Sequence, residues 1–121
     1  MAQRLTLTRK VELITEALKH IGISNVYFEP PQSIKLKYPC AVFKRGVISS
    51  RHAGNIIYKI DDSFDLTYIR LDPDDDMTHD ILNIFRQIRH TRTFVADGLH
   101  HDQYKLYYNQ KENTYDSNQM G

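Results

Sequence analysis

The sequence predicts an α+β fold: a single small domain whose mixed or antiparallel sheet of four to six strands carries two packed helices and a projecting hairpin loop. Three observations predict it. The stretch from Tyr38 to Leu71 holds the densest β pattern, with Phe64, Leu66 and Tyr68 alternating with Asp65, Thr67 and Ile69. Two segments, 8–21 and 77–89, repeat apolar residues at helical spacing. At 121 residues and 40% hydrophobic content, the chain suits one domain with one modest core.

In the first helical segment Val11, Ile14, Leu18 and Ile21 form the stripe, widened by Leu13 and Ala17. Thr8 is the expected N-cap and Gly22 the left-handed stop. Glu12 and Glu16 precede Lys19 and His20, the order the helix dipole favours. Asn25 to Phe28 reads as a short strand ended by Pro30-Pro31, which cannot donate to a ladder. Ile34, Leu36 and Tyr38 alternate with Lys35 and Lys37, so this piece is expected to be extended with one apolar side. Pro39 then opens a central strand from Cys40 to Lys44. The polar segment Arg45 to Gly54 is expected to be an exposed loop. It leads to two runs, Asn55 to Ile60 and Ser63 to Leu71, joined at Asp61-Asp62, and these long strands would carry the hairpin beyond the body of the domain. Ile81, Ile84, Phe85 and Ile88 mark the second helix. Thr93 to Ala96, the turn Asp97-Gly98 and a last strand from Gln103 to Tyr108 complete the domain over residues 1–109. Residues 110–121 are poor in apolar side chains and are expected to form a flexible tail.

Net charge is only +1, but residues 1–61 carry ten Lys/Arg against four Asp/Glu, and residues 62–121 carry six against eleven. Such asymmetry fits either a nucleic-acid surface or a subunit with unlike faces that meet when copies pack together. For the nucleic-acid reading the contacts would be Lys35, Lys37, Arg45 and Arg51, although the aromatic interleaving of a stacking platform is missing. The acidic run from Asp72 to Asp76 fails the calcium-loop pattern, because the sixth place is Met77 and the twelfth Asn83. Those acids are better placed as the approach to a helix start. His100 and His101 would point to opposite faces of a strand and so do not share a metal; with Asp102 they are the residues a metal-enzyme reading would need. No nucleophile elbow, glycine-rich phosphate loop or carboxylate pair in a hydrophobic setting occurs, so no catalytic residue, metal or cofactor is expected. The single cysteine, Cys40, reads as a buried strand residue. No signal peptide and no apolar run of membrane-spanning length is read, which suits synthesis in a reducing cytoplasm without membrane contact.

Several stretches together resemble a family of small proteins from tailed bacteriophages and prophages. They are Tyr27-Phe28-Glu29-Pro30-Pro31, Lys35 to Phe43, the corner Asp72-Pro73-Asp74, Phe94 to Asp102, and Tyr107-Tyr108, within roughly residues 5–109. The family is that of tail-terminator, or head-to-tail joining, proteins. The resemblance implies a structural virion protein that forms a ring, usually a hexamer, on the last ring of the tail tube and joins the tail to the head. It implies as partners the chain itself, the tail-tube protein and the head-closure or connector protein. Genomic DNA would pass through the lumen without specific binding, and assembly would take place in the host cytoplasm. Arg45, Gly46, Ser49, Arg51, His52 and Asn55 are the expected ring or tube interface loop; Lys35, Lys37, Asp74, Asp75 and Asp76 are the expected interface or lumen charges. The alternatives are another neck component on the head side and a DNA-binding accessory protein.

Overall fold

The computed structural model describes residues 6–46, 49–53 and 56–108, with 49–53, 56–61 and 108 described through their backbone. The elements run α1 (Leu7–His20), β1 (Asn25–Phe28), β2 (Cys40–Arg45), β3 (Ser49–Ala53), β4 (Ile56–Arg70), α2 (Met77–Ile84), β5 (Ile88–Ala96) and β6 (Leu99–Tyr108). The main sheet has the order β1-β2-β4-β6-β5, and β3 pairs with β4 off this path. Only the β1–β2 pair is parallel; the other pairs are antiparallel, so the sheet is mixed.

Both helices lie on one face of this sheet. Ile14, Ala17 and Leu18 from α1, Ile81 from α2 and Phe85 just after it pack on Ala41, Phe43, Phe64, Leu66, Tyr68, Tyr104 and Leu106. The register explains the grouping: Phe43 pairs with Leu66 and Leu66 with Tyr104, so these three side chains share a face across three strands. The α+β class, the two helices on one sheet and the projecting hairpin expected from the sequence are all present.

Several boundaries differ from the sequence reading. The N-cap of α1 is Thr6, not Thr8: its hydroxyl accepts from the Arg9 amide at 3.1 Å. The helix closes at Ile21, and Gly22 follows at φ 109°. Helix α2 stops at Ile84 rather than running to 89, because Phe85 is extended and residues from Ile88 join the sheet. Ile88 supplied a helical repeat in the sequence, but it pairs across β6 with Leu106. The segment from Ile34 to Tyr38 is not in the sheet, and Ile34 and Tyr38 are exposed.

The largest difference concerns 45–71. Residues 49–53 are a strand, not loop, and β4 is one unbroken strand through Asp61 and Asp62. Strand β2 pairs with β4 as far as Arg45–Phe64, and β3 resumes at Ser49–Asp61 along the same edge. Together β2 and β3 form one long arm of a hairpin. On the other edge of β4, pairing with β6 ends at Asp62–Tyr108 among the described residues. Beyond that point, among the described residues, β4 pairs with β3 alone. Polarity had disguised a strand whose one partner among the described residues is β4.

Candidate interaction surface

The helix-free face of the sheet is built by the alternate residues of the same strands, and their register sorts them into three rows. The first contains Lys44, Asp65, Lys105 and Arg89. The second contains Tyr27, Val42, Thr67, Gln103 and Arg92. The third contains Cys40, Ile69, His101 and Phe94. A bulge between His90 and Arg92 shifts the β5 register, so Arg89 and Arg92 both fall on this face while His90 pairs with Tyr104 on the helix side. The Thr91 hydroxyl donates to the Gln103 carbonyl at 3.1 Å across the bulge.

Polar and charged side chains dominate the first two rows. The Lys105 ammonium donates to Asp65 Oδ1 at 2.7 Å. A depression of about 760 Å³ runs over this area, lined by Val42, Lys44, Asp65, Thr67, Thr91, Gln103 and Lys105, with Glu29 and Pro30 at its rim. The third row is stacked: the His101 ring lies 4.7 Å from Phe94 at 8°, and the Arg92 guanidinium sits 4.4 Å from the same ring. His101 Nδ1 donates to the Leu99 carbonyl at 3.0 Å, since a carbonyl only accepts. Cys40 is fully buried, and burial pushes its thiol up to about 11, away from reactivity.

The acidic corner sits at the end of β4 on the helix-bearing face, where it is bound to the sheet by a polar network. Arg70, 12% exposed, donates from Nε to Asp102 Oδ2 at 2.9 Å, and its Nη1 donates to the carbonyls of Asp72 and Pro73. Thr93 donates to the other Asp102 oxygen at 2.9 Å. Tyr68 donates to Asp75 Oδ2 at 2.6 Å, while Asp75 Oδ1 accepts from the Met77 amide at the start of α2. Burial above all, then this hydrogen bond, raises the Tyr68 hydroxyl well above its usual value. Asp72 Oδ1 caps the Asp74 amide. The corner is therefore a folded turn in which Asp72 and Asp75 already hold protein donors. Among the described residues no group of three or more His, Cys, Asp or Glu is placed to hold a metal ion.

The residues expected to form an interface are dispersed. Arg45 is exposed at the end of β2, where both its backbone amide and its guanidinium approach Glu29 Oε2, at 3.1 and 3.7 Å. Gly46 is half-buried, and its amide donates to the Ser63 carbonyl at 2.8 Å. A β-carbon there would lie 2.5 Å from Ser63 Oγ, so glycine is required by close approach. Ser49, Arg51 and His52 lie on the β3 backbone, opposite Asp61, Lys59 and Ile57; Asn55 and residues 109–121 lie outside the described residues. Lys35 and Lys37 are exposed, and the Lys37 amide donates to the Tyr27 hydroxyl at 3.2 Å. Asp74 and Asp76 are exposed; Asp75 is not, being held by Tyr68. His100 and His101 alternate as expected, and Asp102 is buried against Arg70 on the helix side.

Sequence reasoning missed the helix-free face itself. Its signal was present, since Asp65 and Thr67 alternate with Phe64, Leu66 and Tyr68, and Gln103 and Lys105 alternate with Tyr104 and Leu106. What was missing was the register that sets Lys44, Asp65, Lys105 and Arg89 side by side. Compared with known proteins, the chain matches no family model and no curated protein.

Proposed function

We propose that this protein is a structural subunit of a tailed-bacteriophage neck, forming a closed ring that ends the tail tube and joins it to the head. The observation that carries the reading is the hairpin. One continuous strand of 15 residues belongs both to the domain sheet and to a β3–β4 ribbon that runs beyond it. A compact body with a projecting ribbon suits a subunit that reaches a neighbour or the tube below, and the sequence stretches that resemble tail terminators support the same role. Ring closure needs a heterologous contact between unlike patches, which the opposite charge balance of the two halves of the sequence favours.

The experiment is to image phage particles assembled without the protein. Overlong tails are the expected result. Tails of normal length lacking heads, or heads that leak DNA, would instead assign a head-side neck role. In parallel, light scattering on the pure protein should show a closed oligomer or capture by tail ends; a monomer indifferent to tails would end the proposal.

A further inference from the structure

The sheet separates two exposed clusters of opposite charge. On the helix-free face, Lys44, Lys105, Arg89 and Arg92 stand in two adjacent rows with Asp65 as the only carboxylate in those rows. Lys44, Arg89 and Arg92 are exposed. On the helix-bearing side, residues 71–80 contain five aspartates and no Lys or Arg, and Tyr68 anchors that corner from the buried face. The next stretch, 81–96, contains three arginines and no acid. The bulge in β5 brings two of these arginines, Arg89 and Arg92, to the opposite face.

We propose that the helix-free face is a docking surface for a second copy of this chain, whose acidic corner around Asp74 and Asp76 seats across the two adjacent rows that contain Lys44 and Arg92. This rests on the ring reading and names the contact that would propagate the ring. Cations and carboxylates on opposite faces of one sheet cannot neutralise one another within a subunit. Between subunits they meet, and the contact is face to back, which is heterologous as closure requires. The face also suits a mixed-charge protein partner better than a polyanion. Asp65 stands within the cationic row and holds Lys105, Glu29 lines the rim, and the Phe94 ring already carries Arg92 and His101.

Two variants of the full chain test this, Lys44→Glu/Arg92→Glu and Asp74→Lys/Asp76→Lys. All four positions are exposed, so both variants should keep the wild-type circular dichroism and melting temperature. Sedimentation velocity of wild type should show self-association that weakens as salt rises. Each variant alone should associate at least tenfold more weakly. An equimolar mixture should recover association, because the reversed face of one matches the reversed corner of the other. Association undiminished in either variant, or a mixture no better than its components, would overturn the inference while leaving rings built through another contact possible. A wild type that stays monomeric yet still caps tails would overturn this contact alone. Loss of labelled DNA binding on Lys44→Glu/Arg92→Glu, with self-association intact, would reassign the face to nucleic acid.

Discussion

At the scale of single residues, the buried charges and hydroxyls carry the testable consequences. Asp102 is 4% exposed at its side chain and neutralises Arg70 while accepting from Thr93. Asp102→Ala leaves the half-buried Arg70 guanidinium without its carboxylate and Thr93 without this acceptor, and should cost about 3 kcal/mol. Thr93→Val, which removes one donor, should cost about 1 kcal/mol. Urea titrations would read both as lower midpoints at unchanged slope, and equal effects for the two variants would contradict this assignment. Burial pushes the Tyr104 hydroxyl up to about 12 from an ordinary value of 10.0, and Tyr68 is raised in the same direction. Each group holds its proton more tightly folded than unfolded. The stability it contributes is therefore complete below about pH 10 and is lost as pH rises through the folded value. Unfolding midpoints should fall steeply above about pH 10, and Tyr104→Phe should flatten part of that fall. The buried partners of these residues were not legible in sequence. Nothing in the run Gly98-Leu99-His100-His101-Asp102 distinguishes a carboxylate that meets Arg70 from one that meets solvent.

Elements were legible where one periodicity ruled and illegible where two competed. Helix α1 keeps its apolar stripe throughout, and sequence placed it to within one residue at each end. Strand β4 was read as two runs, Asn55 to Ile60 and Ser63 to Leu71, because Asp61-Asp62 looked like a join, whereas the strand is continuous from Ile56 to Arg70. Ile88 matched a helical repeat but is claimed by the sheet, where Leu106 faces it. Residues 49–53 lacked the alternation that burial on one face imposes, and only pairing with β4 makes them a strand. The join between β2 and β3 yields a prediction at this scale. Gly46→Ala would drive a methyl against the buried Ser63 hydroxyl and should destabilise by about 1–3 kcal/mol. Trimming the neighbour in a Gly46→Ala/Ser63→Ala chain should return part of that loss, a coupling that a double-mutant cycle measures. Strict additivity of the two changes would rule out the close approach as the cause.

At the scale of the molecule, the fold class followed from length, two helical stripes and one alternating strand. The interaction surface did not, because a surface is a property of register. Lys44 and Lys105 are far apart in the chain and become neighbours of Asp65 only when β2, β4 and β6 align. The same alignment fixes how the hairpin is rooted. Asp62, the last β4 residue paired to β6 among those described, receives the ammonium of Lys10, a lysine buried on α1. The root is thus clamped to the first helix by an ion pair that is largely dry on the lysine side.

The ribbon outside that clamp has a thermodynamic consequence of its own. A lone pair of strands is marginal in water, gaining firmness only when a third surface lies along it. Whatever settles against β3 and the outer part of β4 would therefore be felt as a slowing of amide exchange there before any change reached the helices. Time-resolved deuterium uptake on solitary and assembled material would report arrival at the tip as a local stiffening.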